Sequence, residues 1–197
     1  MKGYSDMTRY LEAVVDAISH DDTLFLGYAP RMVRVARLMA RLADKPMTVE
    51  SELKSSTLAL KSSECHAVAT LVQRGHYDVN VERMLCTESH NLRLLAIILV
   101  GRNSVEGYEA YLHNIACGGD DSTVVAEALR VLLTNCVLLD VEAMIRAIRS
   151  LDCNQRRWLL REVAIERGCC EPILASCDHE DACSGAWLAN LYKYILR

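Results

Sequence analysis

From Ser89 to Asp152 the chain repeats one pattern: a polar cap, an amphipathic helix, a short break and a second helix. Ser89 suits an N-cap, because its hydroxyl can accept a hydrogen bond from a free backbone N–H of the first turn. Leu92, Leu95, Ala96, Leu99 and Val100 follow at steps of three and one, the apolar stripe of a helix. Gly101 to Asn103 are expected to break that helix, and Ser104 to cap a second with Tyr108, Tyr111, Leu112 and Ile115 inward. Gly118 and Gly119 offer the left-handed conformation a helix end needs. Ser122 opens the next helix with Val124, Val125, Ala128, Leu129 and Leu132. Asp140 caps its partner, whose apolar face is Val141, Met144, Ile145 and Ile148. No alternating strand pattern intervenes.

The capping positions recur at an even spacing. Ser89 to Ser122 is 33 residues, Ser122 to Asn154 is 32 and Asn154 to Ser184 is 30. Helix pairs at such a period are what stacked helical repeats show. The segments Asn91-Leu92-Arg93-Leu94-Leu95-Ala96, Thr123-Val124-Val125-Ala126-Glu127-Ala128 and Pro30-Arg31-Met32-Val33-Arg34-Val35-Ala36 resemble units of the HEAT-like repeat family. That resemblance implies an all-α fold, a right-handed α-solenoid-like array of antiparallel helix pairs. The Asp and Arg of the longer HEAT unit do not recur at fixed places here, so an irregular helical bundle is the alternative. On either reading residues 1–197 form a single all-helical domain, with less regular helices over 1–62 and helix pairs over 63–197.

Composition narrows the function classes. Apolar residues make up 51% of the chain but aromatic ones only 6%, which favours helix-on-helix packing over a sandwich. A net charge of −4 disfavours nucleic acid as the partner, because phosphate binding calls for a basic excess. Seventeen of the basic residues are Arg and five are Lys. The longest apolar run, Leu94 to Val100, is too short to span a bilayer, and the N-terminus lacks an apolar signal core. Nine cysteines, an odd number scattered through helices, read as the reduced thiols of a cytoplasmic protein.

Taken in order, the chain starts with a helix carrying Tyr10, Leu11, Val14, Val15 and Ile18, then a less regular segment from Thr23 to Tyr28. Pro30 fits the first turn of the next helix. On that helix Arg31, Arg34, Arg37 and Arg41 lie within roughly 60° of one direction, opposite Val35, Leu38, Met39 and Leu42. This is a basic stripe with no acid in it, read either as a solvated face or as a docking face for an acidic partner or phosphate. Lys45-Pro46 breaks the chain, and helices are expected over Thr48–Leu60, from Ser62 to a stop at Gly75, and over Asp78–Leu85. Past Asp152, a helix from Asn154 to Arg167 turns Trp158, Leu159, Val163 and Ala164 inward and ends at Gly168. Arg146 and Arg149, with Arg156, Arg157 and Arg161, form a second basic patch. An acidic loop at Asp178-His179-Glu180-Asp181 and a closing helix, Ser184 to Leu196 with Trp187 and Leu188 inward, complete the chain.

Few constellations suggest chemistry. Cys169, Cys170, Cys177, His179 and Cys183 hold ligand-type residues, but the spacing lacks a zinc knuckle, and small cysteines filling helix contacts explain them as well. Gly118-Gly119-Asp120-Asp121-Ser122 precedes a helix, yet the aspartates repel phosphate and no P-loop Lys follows, so it reads as a cap turn. His66, His76, His90 and His113 have no nucleophile at a readable spacing, and the pairs Asp140/Glu142 and Glu106/Glu109 read as solvated faces. The residues therefore point to a non-enzymatic module with no cofactor, metal or small-molecule substrate, presenting a helical face to another protein as scaffold, adaptor, chaperone-like partner or inhibitor. The partner-binding residues would be Arg31, Arg34, Arg37, Arg41, Arg146, Arg149, Arg156, Arg157 and Arg161. Two other classes stay open. Resemblance to HEAT-like DNA glycosylases would give Trp158, Trp187 and Asp152 roles at a DNA-binding face, and the C-terminal cysteines would suit a zinc- or thiol-dependent regulator.

Overall fold

A computed structural model of the chain describes residues 30–44, 49–75, 78–137 and 139–166. All regular structure among them is helical: α1 (Pro30–Asp44), α2 (Val49–Ser55), α3 (Ser62–Arg74), α4 (Val81–Leu85), α5 (His90–Asn103), α6 (Glu109–Cys117), α7 (Ser122–Thr134), α8 (Val141–Ser150) and α9 (Cys153–Glu166). The expected elements before Pro30 and after Glu166, including the Gly168 cap and the helix around Trp187, lie outside the described residues, as do the Lys45-Pro46 break and His76. No helix among the described residues is long and apolar enough to cross a membrane. Contacts divide the chain into two compact units, Met1–Leu99 and Val100–Arg197, the boundary falling within α5.

In the first unit α1 starts at Pro30, where the missing N–H costs no helical hydrogen bond. Its Val35, Leu38, Met39 and Leu42 are buried, and the helix packs on α2 and α3. α2 stops at Ser55, short of the expected Leu60. Two serines there bond locally: the Ser55 hydroxyl donates to the Glu52 carbonyl at 3.2 Å, and the Ser56 hydroxyl accepts the Leu58 N–H at 3.2 Å. Such side chains offer the backbone an alternative to the helix. The chain then runs non-helically across Asn91, a buried residue whose amide replaces the missing ladder. Asn91 Oδ1 accepts the Leu60 N–H at 2.8 Å, while Nδ2 donates to the Leu58 carbonyl at 2.9 Å and the Leu53 carbonyl at 3.4 Å.

α3 opens where expected, its Glu64 carboxylate accepting the Lys61 N–H at 2.7 Å. Cys65, Val68, Ala69 and Val72 are buried, and Gly75 stops it in a right-handed conformation, φ −81°. α4 is shorter than the expected Asp78–Leu85, because its cap is Asn80, whose side chain accepts the Arg83 N–H. Ser89 stands just before α5, its carbonyl accepting the Arg93 N–H at 3.0 Å.

In the second unit α5 does not break at Gly101 but continues to Asn103. Gly101 serves packing instead of termination: a Cβ there would lie 2.7 Å from Val131 Cγ2 of α7. We expect Gly101→Ala to lower the thermal midpoint by several degrees, since overpacking costs about 1–3 kcal/mol. That outweighs the roughly 1 kcal/mol gained in helix propensity. A raised midpoint in a melt monitored by circular dichroism would mean that Val131 swings aside freely.

α6 begins only at Glu109. The Ser104 hydroxyl accepts the Glu106 N–H in a preceding turn, where Gly107 takes φ +85°. The later start leaves Tyr111 on the outside at 40% exposure, so the inward residues are Leu112, Ile115 and Ala116. The left-handed turn after α6 is made by Gly119 (φ +81°), while Gly118 stays at φ −86°. The cap of α7 is Asp121, whose carboxylate accepts the Thr123 N–H at 2.9 Å, and Ser122 is the first helical residue.

Every residue from Val124 to Leu133 is buried. A helix enclosed on all sides is the centre of its unit, and α7 indeed packs against α6, α8 and α9. Asp140 caps α8 as expected, accepting the Ala143 N–H at 2.9 Å. α9 starts at Cys153 behind a reciprocal box: the Gln155 N–H reaches Asp152 Oδ1 at 2.8 Å and the Asp152 N–H reaches Gln155 Oε1 at 3.3 Å. Leu159, Val163 and Ala164 are buried as expected, and Trp158 is half-buried.

Candidate functional site

The α1 arginines are not one uniform stripe. Arg31 forks onto Glu64 of α3, Nε to Oε1 at 3.2 Å and Nη2 to Oε2 at 2.6 Å, and also donates to the Ala59 carbonyl at 3.0 Å. Its guanidinium therefore ties α1 to α3. Arg41 Nε lies 3.1 Å from Glu52 Oε2 of α2. The acids missing from the stripe come from the helices packed beside it. Arg34 and Arg37 are exposed and have no ion pair among the described residues.

The second patch is also uneven. Arg146 and Arg149 are exposed on α8, and Arg146 Nη1 is 3.8 Å from Glu142 Oε2, a loose pair between two exposed groups. Such a pair contributes little. On α9 Arg161 is exposed, whereas Arg156 and Arg157 are half-buried, with Nε atoms that are buried and have no hydrogen-bond partner. Arg146 also lines a cleft of about 360 Å³ with Cys117, Asp120, Ser122, Val125 and Ser150.

Cys117, on the wall of that cleft, has its Sγ 3.7 Å from His113 Nε2 one helical turn earlier. Desolvation first, and the Asp140 carboxylate second, push the Cys117 thiol up, with Arg146 pulling the other way. A nucleophilic cysteine needs the opposite shift. His90 Nε2 sits 2.9 Å from the Leu60 carbonyl, a structural contact. The carboxylates weighed as acid/base pairs are dispersed: Asp140 is the α8 cap, Glu142 is exposed beside Arg146, Glu106 is exposed and Glu109 lies in the first turn of α6. Cys65, Cys86, Cys117, Cys136 and Cys153 are outside any disulfide, and no group of three or more His, Cys, Asp or Glu is gathered for a metal among the described residues. The Cys169–Cys183 cluster lies outside the described residues, as does Trp187. Asp152, cast for a DNA-binding face, is occupied in the α9 cap.

A charged group absent from the sequence reading lies inside the second unit. Glu127 is 0% exposed and Arg130 6%, both on α7. Arg130 Nε donates to Glu127 Oε1 at 2.8 Å, with Nη2 2.7 Å from the same oxygen. Its Nη1 reaches Glu166 Oε1 of α9 at 2.5 Å, and the Thr134 hydroxyl donates to Glu166 Oε2 at 2.8 Å. Burial first and the Glu166 carboxylate second push the Glu162 pKa up, and Arg130 draws it down. A signal was present: Glu127 and Arg130, three residues apart, are the only charges in the otherwise apolar run Val124 to Leu133. Helical spacing puts them on one face.

Comparison of the chain with protein-family models, with curated proteins and with solved structures returned no match.

Proposed function

We propose that this protein is a non-enzymatic interaction module, a short α-solenoid of HEAT-like helix pairs that offers one face to a protein partner. The packing in the second unit supports the solenoid reading: α7 lies against α9 and α6 against α8, so helices two apart in sequence pair within layers. Stacked repeats are built this way, and their function is generally surface recognition. The observation that carries the binding role is the division of labour on α1. Arg31 and Arg41 are engaged within the unit, while Arg34 and Arg37 are exposed and have no ion pair among the described residues. Exposed cations of this kind steer and orient an acidic partner.

Affinity capture from the native cell, read by mass spectrometry, tests the reading with wild type and the double variant Arg34→Glu/Arg37→Glu. The variant is expected to lose its specific partners while its thermal midpoint stays within about a degree, because exposed substitutions rarely change stability by more than about 0.5 kcal/mol. Identical captures from both proteins would remove the α1 face from consideration.

A further inference from the structure

The corner where α8 gives way to α9 carries three guanidiniums, Arg149, Arg156 and Arg157, none with a carboxylate partner among the described residues. Only Leu151 and Asp152 join the two helices, so the last turn of α8 and the first turns of α9 are neighbours. At about 100° per residue Arg156 falls in the sector of the buried Leu159, Leu160, Val163 and Ala164, one turn before them. Arg157 lies about 100° further round, at the margin of that sector. Both residues are half-buried, their Nε donors are out of solvent, and those donors have no hydrogen-bond partner among the described residues. Native proteins rarely leave a buried donor unmade, least of all a cationic one. Asp152, the acid that joins the two helices, is taken up by the Gln155 N–H.

We propose that this corner binds the carboxylates of a short acidic segment on a protein partner, each guanidinium offering the planar fork that suits a carboxylate. The inference rests on the interaction-module reading and names a second surface for it. Adjacent residues on a helix diverge, so Arg156 and Arg157 do not close on one small anion. The ligand must carry spaced acceptors. A long polyanion is disfavoured by the acids Asp140 and Glu142 at the far end of α8, about 15 Å away along the helix. The chain's net charge of −4 acts in the same sense.

The test uses the full chain and a fluorescein-labelled hexaglutamate peptide, followed by fluorescence anisotropy at low salt. We expect saturable binding, weakened at least tenfold in Arg156→Gln/Arg157→Gln and severalfold in Arg156→Lys/Arg157→Lys, which keeps the charge but loses the fork. Arg83→Gln, an exposed arginine of α4 outside both proposed surfaces, should bind the peptide as wild type does, and orthophosphate should compete no better than chloride of equal ionic strength. If the Gln pair fails to fold, the Lys pair decides. Unchanged peptide affinity in the Lys pair, or a labelled DNA duplex binding as tightly as the peptide, overturns the proposal. Peptide binding lost only in Arg34→Glu/Arg37→Glu would sink the corner and leave the interaction reading standing. Failure of wild type to bind hexaglutamate would also sink the corner, and partner capture would then decide the broader reading.

Discussion

Arg130→Met is expected to destabilise the protein by about 3–5 kcal/mol, the usual result of stripping the partner from a buried charge. Glu127 is the reason. It is wholly enclosed, and Arg130 Nε and Nη2 both lie within hydrogen-bond distance of its Oε1. Methionine fills the arginine stem but removes the guanidinium from that oxygen. It also frees Glu166, which holds α9 to α7. A loss of this size is a large share of the roughly 5–15 kcal/mol that keeps most domains folded. The double variant Glu127→Leu/Arg130→Met should recover most of it, because replacing both members of a buried pair by apolar groups is often neutral or better.

Urea unfolding of the single and double variants measures both effects. A single-variant loss under about 1 kcal/mol, the size of a solvated surface pair, would show that Glu127 is not dependent on Arg130.

Asn91→Ala should cost about 2–4 kcal/mol, because the Leu60 N–H and the Leu58 and Leu53 carbonyls lose their partner in a buried position and each such group costs about 1–3 kcal/mol unless water reaches it. Asn91→Asp keeps the acceptor for Leu60 but points a carboxylate at two carbonyl oxygens, and should be no better than alanine. The effect is local as well as global. With the amide gone, nothing replaces the helical ladder that ends at Ser55, so the Leu60 amide should exchange with solvent far faster than in wild type. Hydrogen exchange resolved at Leu60 reads this directly, and full protection of that amide in Asn91→Ala would defeat the argument.

Caps and apolar stripes were readable because both partners lie within a turn of each other. Asp140, Pro30 and the start of α3 at Ser62 occupy the positions expected of them. Two of the errors have one source. Gly101 reads as a breaker when only its own neighbours are considered, and as a close-approach residue once Val131 stands against it. The Arg31–Arg41 stripe has no acid within it, and its acids arrive from Glu64 and Glu52 on other helices. For the binding surface, the arginine identities were legible, but their difference in freedom was not. Arg34 and Arg37 look like Arg31 in any helical projection.

The sequence by itself determined that the described chain is helical, where most helices start, and which residues face inward. Those properties follow from hydrogen bonds and spacings local to a turn. Only the tertiary structure decided that α7 would be enclosed on every side, that Glu127 and Arg130 would be sealed in with it, and that Asn91 would stand in for a helix. Each depends on contacts between residues about 30 or more positions apart or between whole helices, and burial, which sets the cost of every unpaired charge or amide, exists only once those helices have packed.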